Sequence, residues 1–455
     1  MSVKSVHHAS GSGSAAYIEE LEMNHVPQKT DDSQSVYAIN EPSRNLPQTS
    51  VKLSQTKSQR RWTHVQFASC CFALFLAGWN DGTTGPLLPR IQEDYHVNFA
   101  VVSLIFVFAC LGSIFGAALN FVVTDRLGFG KAMVLGSLFQ VVAFALLAAG
   151  GSVPFPVFVL GFTINNVGGS LQDAQANGYV AGLRNNAATK MGMMHAAYGA
   201  GAFCSPLVAT QFAQEERWSF HYLVSLGIAL LNTVILVAVF RFKSQDGAPL
   251  SPPIPFLIPT SCWLAVKTEC FAQIGQPPQE QGTSTHSKIR QVLSLKAVHL
   301  LACFIFAYVG VEVTIGGWIV TFIIDVRGGG ASSGYISAGF FGGLMVGRVA
   351  LLWVNKKVGE RRVLFIYAIL AIGLEVVIWL VPSLIGDAVA VSIVGMLLGP
   401  IYPIVMNESS RILPRWLLTG SIGWIAGFGQ AGSALFPFIT GALASKVGIK
   451  SLQPL

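Results

Sequence analysis

The second half of this chain repeats the first at an offset of 231 residues. That shift carries Gly112 onto Gly343, Gly116 onto Gly347, Gly128 onto Gly359, Gly192 onto Gly423, Gly201 onto Gly432 and Pro206 onto Pro437. It also carries Asp81 onto Glu312, and no gap is needed except around the fourth apolar segment. The repeated material is a series of apolar windows near 65–88, 101–123, 132–150, 155–181, 191–213 and 219–242, then 297–324, 334–354, 363–382, 388–407 and 419–443. Each window is long enough, as a helix rising about 1.5 Å per residue, to cross roughly 30 Å of hydrocarbon.

Composition points the same way. At 52% hydrophobic and 11% charged residues, with a mean hydropathy of +0.56, the chain is too apolar for a soluble globular protein. The expected fold is all-α: a polytopic membrane protein of two pseudo-repeated six-helix bundles. The second bundle lacks its last helix, which leaves about eleven transmembrane helices. The sixth helix starts near Trp218, and its counterpart would start near 449, where only a few residues remain before Leu455. The sequence is therefore either truncated or ends with its C-terminus outside the cell.

The expected domain order follows. Residues 1–60 are rich in Ser, Gln, Asn and Lys and read as a disordered cytosolic tail. Residues 61–242 form the N-terminal bundle, 243–296 a cytosolic central loop and 297–455 the C-terminal bundle. Within the loop, 247–268 is apolar but too short to span and is broken by Pro255 and Pro259. It reads either as an interfacial or re-entrant segment or as an insertion such as unremoved intron sequence.

Charge sets the expected orientation. Lys52, Lys57, Arg60 and Arg61 precede the first helix, and Arg126, Lys131, Arg184, Lys190, Arg241, Lys243, Lys356 to Arg362, Arg411 and Arg415 crowd alternate loops. The opposite loops hold little beyond Arg90, Arg217 and Arg327. This asymmetry places the N-terminus in the cytosol. Basic charge split among short membrane loops argues against nucleic-acid binding, despite a formal charge of +7. The start of the chain has no apolar core, so no cleavable signal peptide is expected. Seven cysteines have no metal-like spacing and read as small packing residues. No cofactor is expected.

Five ionisable groups fall inside spans: Asp81, Asp173, Glu312, Arg348 and Glu375. Exposing all five to lipid would cost on the order of 10–15 kcal/mol, so they must be paired, protonated or facing water. Helix direction separates Glu312 from Arg348 by roughly 10 Å of depth, which directs Arg348 towards Glu375 or a cavity anion. Desolvation favours the neutral form of an unpaired carboxyl, as a proton-coupling residue requires. Helix four is dense in polar residues: Asn165, Asn166, Ser170, Gln172, Asp173 and Asn177. Asn166, Ser170, Asp173 and Asn177 share one helical face, which must point at protein or water. Amides around an acid suit a polyhydroxylated ligand, whereas the same groups can also act as hydrogen-bond glue between helices. Asn80 and Gln430 join the expected pathway, with Trp318 and Tyr402 as stacking surfaces. His195 reads as a packed helix-end residue. An embedded enzyme would need a nucleophile, base and orienter at one depth, and no such spacing is present.

GWNDGTTGPLLP in helix one, DRLGFGK after helix two, HAAYGAGAFCSP in helix five, YVGVEVTIGGW in helix seven and GWIAGFGQAGSALFPFITG in helix eleven carry a family resemblance. The chain resembles the major facilitator superfamily, and within it the fucose-permease-like branch and the fungal bypass of stop codon protein 6 group. The resemblance covers roughly residues 60–455, apart from the insertion. It implies two bundles around a central cavity that opens alternately to either side, and proton-coupled sugar binding by Asp81 and Asp173. It also implies a cytosolic gate at Asp125, Arg126 and Gly128, matched in the second half by Lys357, Gly359 and Arg362. The departures are Phe121 where the family has Gly, Phe129-Gly130 in place of basic residues, and Lys356 at the repeat position of Asp125.

The function expected is transport of a small polar solute, sugar-like, with protons as coupling ion and the bilayer as the other partner. The protein is expected to act as a monomer in the plasma membrane, with an internal membrane as the alternative. Rival readings are a membrane sensor or non-transporting homologue, and an organic anion or drug as substrate.

Overall fold

The computed structural model describes residues 57–181, 183, 186–240, 285–413 and 417–453. The expected tail up to Thr56 and the 247–268 segment lie outside the described residues. The first half contains α1 (Lys57–Asp94), α2 (Leu104–Leu127), α3 (Phe129–Leu147), α4 (Phe155–Ala181), α5 (Ala187–Ala213) and α6 (His221–Phe240). The second half contains α7 (Lys296–Arg327), α8 (Gly334–Ala350), α9 (Glu360–Leu380), α10 (Leu384–Leu398) and α11 (Leu418–Val447). A short turn, Phe99–Val102, leads into α2, and its cap residue Asn98 accepts from the Val101 N–H through Oδ1 at 2.9 Å. The stretch Ile401–Ile412 continues α10, and Leu352–Val358 continues α8 with a bend of 51°. The chain is thus all-α and polytopic, and each apolar window has its helix.

Among the described residues, seven helical stretches are long and apolar enough to cross a membrane, or eight when the bent α8 pair is one span. The three long helices that fall short are α1, α4 and α5. α1 and α4 carry acids and amides within their spans, and α5 is rich in Gly and Ala. Lipid-facing surface is plain elsewhere: Phe365, Ile369, Ile372 and Leu380 of α9 are 64–73% exposed, which fits hydrocarbon and not water.

Glycine contacts set the helix packing. Gly78, Gly82 and Gly201 bring the backbones of α1 and α5 together, with Gly78 on the Tyr198 carbonyl, Gly82 on the Ala202 carbonyl and Gly201 on the Phe75 carbonyl. Gly432 of α11 rests on the Phe306 carbonyl of α7, the same contact one repeat later. Between α2 and α4, Gly112 and Gly116 meet the carbonyls of Thr163 and Val167; between α8 and α10, Gly343 and Gly347 meet those of Ser392 and Met396. The glycines keep the 231 offset, while their partners are 229 apart. The gap around the fourth segment is therefore two residues, and it makes Tyr402 the counterpart of Asp173.

Buried polar side chains pin the helices further. Arg327 donates to Asp387 Oδ2 at 2.7 Å and also to the Ile378 carbonyl, tying α7 to α9 and α10. The pairing expected between Arg348 and Glu375 is not formed. Glu375 neighbours Asp387 and Gln453, whereas Arg348 turns towards α5 in the other half.

Candidate functional site

A cavity of about 330 Å³ lies between the two halves. Its position follows from the helix contacts. Because α1 and α5 touch backbone to backbone, Asp81 and Tyr198 come within hydrogen-bonding distance, and the Tyr198 hydroxyl donates to Asp81 Oδ2 at 2.6 Å. Asn80 Nδ2 donates to Asp81 Oδ1 at 3.2 Å. Asp173 projects from α4, where its side chain accepts from Asn177 Nδ2 at 2.9 Å. From the second half come Glu312 on α7, Arg348 on α8, Tyr402 and, on α11, Gln430. The Tyr308 hydroxyl donates to the Leu398 carbonyl at 3.1 Å and also lies within reach of the Glu312 carboxylate.

Three carboxylates therefore face one space, and the guanidinium of Arg348 gives two of its five N–H groups to carbonyls. It donates to the His195 carbonyl at 3.2 Å and to the Gly399 carbonyl at 3.4 Å, and it lies 5.7 Å from the centre of the Tyr198 ring. Asn166 donates to the Phe162 carbonyl at 2.9 Å and accepts from Ser113 at 3.4 Å. Among the described residues, two buried cavity acceptors, Asn165 Oδ1 and Gln140 Oε1, have no protein donor. The apolar remainder of the wall includes Phe106, Phe162 and Phe341. Acids, open amide acceptors and ring surfaces around one volume suit a small ligand with several hydroxyls.

One end of the cavity is sealed, the end away from the basic loops. Phe99 and Phe106 pack on Trp318 with ring centres 5.9 and 6.3 Å apart. Ala100 N donates to Ser445 Oγ at 2.8 Å, Gln214 donates to the Ala331 carbonyl at 3.4 Å, and Gln211 donates to the Tyr335 hydroxyl. A further hydrogen bond between the halves, that of Arg348 to His195, lies on the side of the basic loops.

The structure thus gathers Asn80, Asp81, Asn165, Asn166, Asp173, Glu312, Arg348, Tyr402 and Gln430 around one cavity. Three residues expected there stand elsewhere. Gln172 is 2% exposed and donates to the Met133 carbonyl at 3.2 Å, while its Oε1 accepts from Asn232, so it ties α4 to α3 and α6. Asn177 lies one turn beyond the cavity and reaches it only through Asp173. Trp318 is fully buried in the sealing layer and donates to the Pro437 carbonyl at 3.0 Å, so its faces are covered and not free for stacking. Glu312 and Arg348 both line this space, and the hydrogen bonds of Arg348 go to the His195 and Gly399 carbonyls and not to Glu312.

The loops expected to gate the cavity share a geometry. Gly128 and Gly359 both have positive φ, 77° and 98°, and each turns one helix into the next. Arg126 and Arg362 are exposed, and Lys357 Nζ sits 4.8 Å from the centre of the Trp353 ring. The side chain of Asp125 lies outside the described residues. Sequence reasoning missed a neighbouring polar cluster. Arg411 bridges Glu360 at 2.7 Å and Glu408 at 2.8 Å, while Arg361 meets Glu408 at 3.1 Å. Its signal was the acid Glu360 just after the turn glycine, at a place where Lys356 had replaced the first-half acid. Tyr198 and Gln140 were also missed, because neither has charge to mark it in an apolar helix.

Repeated helices closing on a cavity that holds intramembrane acids define a polytopic transport-type membrane fold. The chain belongs to the Major Facilitator Superfamily, which matches residues 70–437. It is 24% identical over 404 residues to bypass of stop codon protein 6 of Saccharomyces cerevisiae, covering 86% of this chain and 79% of that protein. It is 22% identical over 425 residues to a glucose/galactose transporter of Brucella abortus, covering 89% and 93%. In structure it is similar to the E. coli fucose:proton symporter, with a TM-score of 0.57 at 15% identity over 86% of this chain and 95% of that one.

Proposed function

We propose that this protein is a secondary transporter of a small polyhydroxylated solute, sugar-like, that works by alternating access and is driven by protons. The observation that carries the reading is one cavity lined from both halves by Asp81, Asp173 and Glu312 together with Asn165, Asn166 and Gln430. Amides and carboxylates can accept and donate around hydroxyl groups, and a site built on such bonds discriminates strongly against ligands that lack them. The glucose/galactose transporter among the relatives supports a sugar. An organic anion fits less well, since three acids face the solute.

In this reading Asp81 takes up and releases the coupling proton, and Glu312 contacts the solute. The 61–242 and 297–455 bundles rock about the cavity, with turns at Gly128 and Gly359 in the gating loops. The basic loops face the cytosol of a monomer in the plasma membrane. A thermal-shift screen of the purified protein at pH 5.5 and pH 7.5 tests the substrate class. Neutral hexoses and pentoses are expected to raise the melting temperature, and aromatic carboxylates to leave it unchanged. Stabilisation by the carboxylates alone would overturn the sugar assignment.

A further inference from the structure

Asp81 and Arg348 belong to different halves, and one side chain touches both. Tyr198 gives its hydroxyl proton to Asp81 Oδ2 at 2.6 Å, and its ring faces the Arg348 guanidinium at 5.7 Å. Arg348 in turn makes a hydrogen bond between the halves on the basic side, to the His195 carbonyl three residues before Tyr198. Backbone contact at Gly78 holds the Tyr198 carbonyl against α1, so the tyrosine has little freedom to move away by itself.

We propose that Tyr198 is a positioning residue that ties the charge on Asp81 to the Arg348 contact between the halves. This deepens the transport reading and rests on its choice of Asp81 as proton site. With Asp81 ionised, Tyr198 donates a charge-assisted hydrogen bond. Its ring is then fixed where it meets the guanidinium, and the halves stay joined on the basic side. When a proton from solvent binds the carboxylate, that bond becomes neutral and about half as strong. The ring gains freedom, the guanidinium loses an ordered face, and the basic side opens. The hydroxyl contributes through the acid and the ring through the base, so the two interactions can be separated by substitution.

Other titratable or charged groups line the same cavity as Asp81, namely Asp173 from α4, His195 from α5, Glu312 from α7, Arg348 from α8 and Tyr402, and Tyr308 of α7 lies against Glu312. A test must therefore assign the response to Asp81 and not only detect one. Spin labels at Lys131→Cys and Arg362→Cys, in full-length protein with its native cysteines replaced, report the spacing of the halves on the basic side. Distances are read by pulsed electron resonance in nanodiscs from pH 5 to pH 8, with protons as the sole probe. The short-distance population is expected to predominate at pH 8 and to fall roughly tenfold relative to the long one at pH 5, by analogy with the loss of one charge-assisted bond. Tyr198→Phe keeps the ring and the fold but loses the hydroxyl, and it is expected to flatten this profile in favour of the long distance. Asp81→Asn should flatten it equally and the double variant no further. A Tyr198→Phe profile that follows wild type overturns the proposal, as does a wild-type distance that does not change with pH. Neither result touches the transport reading, because no solute takes part in the measurement.

Discussion

Gly85 of α1 packs directly against the carbonyl of Gly316 of α7, its own counterpart in the repeat. The halves therefore cross where equivalent backbones meet, and one helical turn back along each helix stands an acid, Asp81 or Glu312. A side chain at position 85 would also meet Ser337 Oγ, at 3.3 Å from the added carbon. Gly85→Val is expected to destabilise the protein by about 1–3 kcal/mol through overpacking. Gly373→Ala, where nothing lies within 4 Å, should leave stability unchanged or slightly raised. Thermal unfolding in detergent checks both. Equal melting temperatures for Gly85→Val and wild type would contradict the crossing.

Gln172 and Asp173 are adjacent in sequence and are predicted to fail in opposite ways. Gln172→Ala removes the side-chain bonds that tie α4 to Asn232 and to the Met133 carbonyl and should cost about 1–3 kcal/mol of stability, with transport affinity little changed. Asp173→Ala should retain stability and raise the apparent substrate constant, as should Asn166→Ala. Melting curves alongside uptake kinetics separate the two patterns. A raised constant for Gln172→Ala at normal stability would return that residue to the cavity wall.

Those neighbours also mark where sequence reading succeeds and where it stops. The repeat offset made Asp81 and Glu312 legible, because an acid within a span needs a reason and two at matching places need one reason. Helical periodicity put Asn166 and Asp173 on a common face, but it could not show that Gln172, about 100° round the helix, meets α3 and α6. Trp318 follows Glu312 by six residues, roughly 240° round the helix, and so it faces away from the acid. Tyr198 was illegible for a different reason. Its role depends on a Gly78 backbone contact between α1 and α5, and no pattern within either helix encodes that meeting.

Asp387→Ala should be among the most damaging single changes away from the cavity. It leaves Arg327, 10% exposed, without its carboxylate between α7, α9 and α10. Breaking a buried pair from one side costs about 3–5 kcal/mol. The expected result is a steep fall in melting temperature and in yield of folded protein. An unchanged melting temperature would show that the pair contributes nothing.

Glu312→Gln separates solute contact from proton carriage. As a contact, the loss of a charged acceptor should weaken sugar binding about tenfold, and by a similar factor at every pH from 5 to 8. Binding that persists at wild-type strength but loses its pH dependence would move the proton role from Asp81 to Glu312. Titrations by intrinsic fluorescence across that range distinguish the outcomes.

Uptake into proteoliposomes under an imposed pH gradient tests the central claim most directly. With the outside acidic, wild-type protein should accumulate at least one labelled sugar from a panel of glucose, galactose and fucose above its outside concentration. A proton ionophore should abolish the accumulation. Asp81→Asn should bring the sugar only to equilibrium, at normal folded yield, because the amide keeps the carboxylate's shape but cannot titrate. Accumulation by Asp81→Asn equal to wild type, or wild-type uptake no faster than in protein-free vesicles for every sugar, would contradict the account.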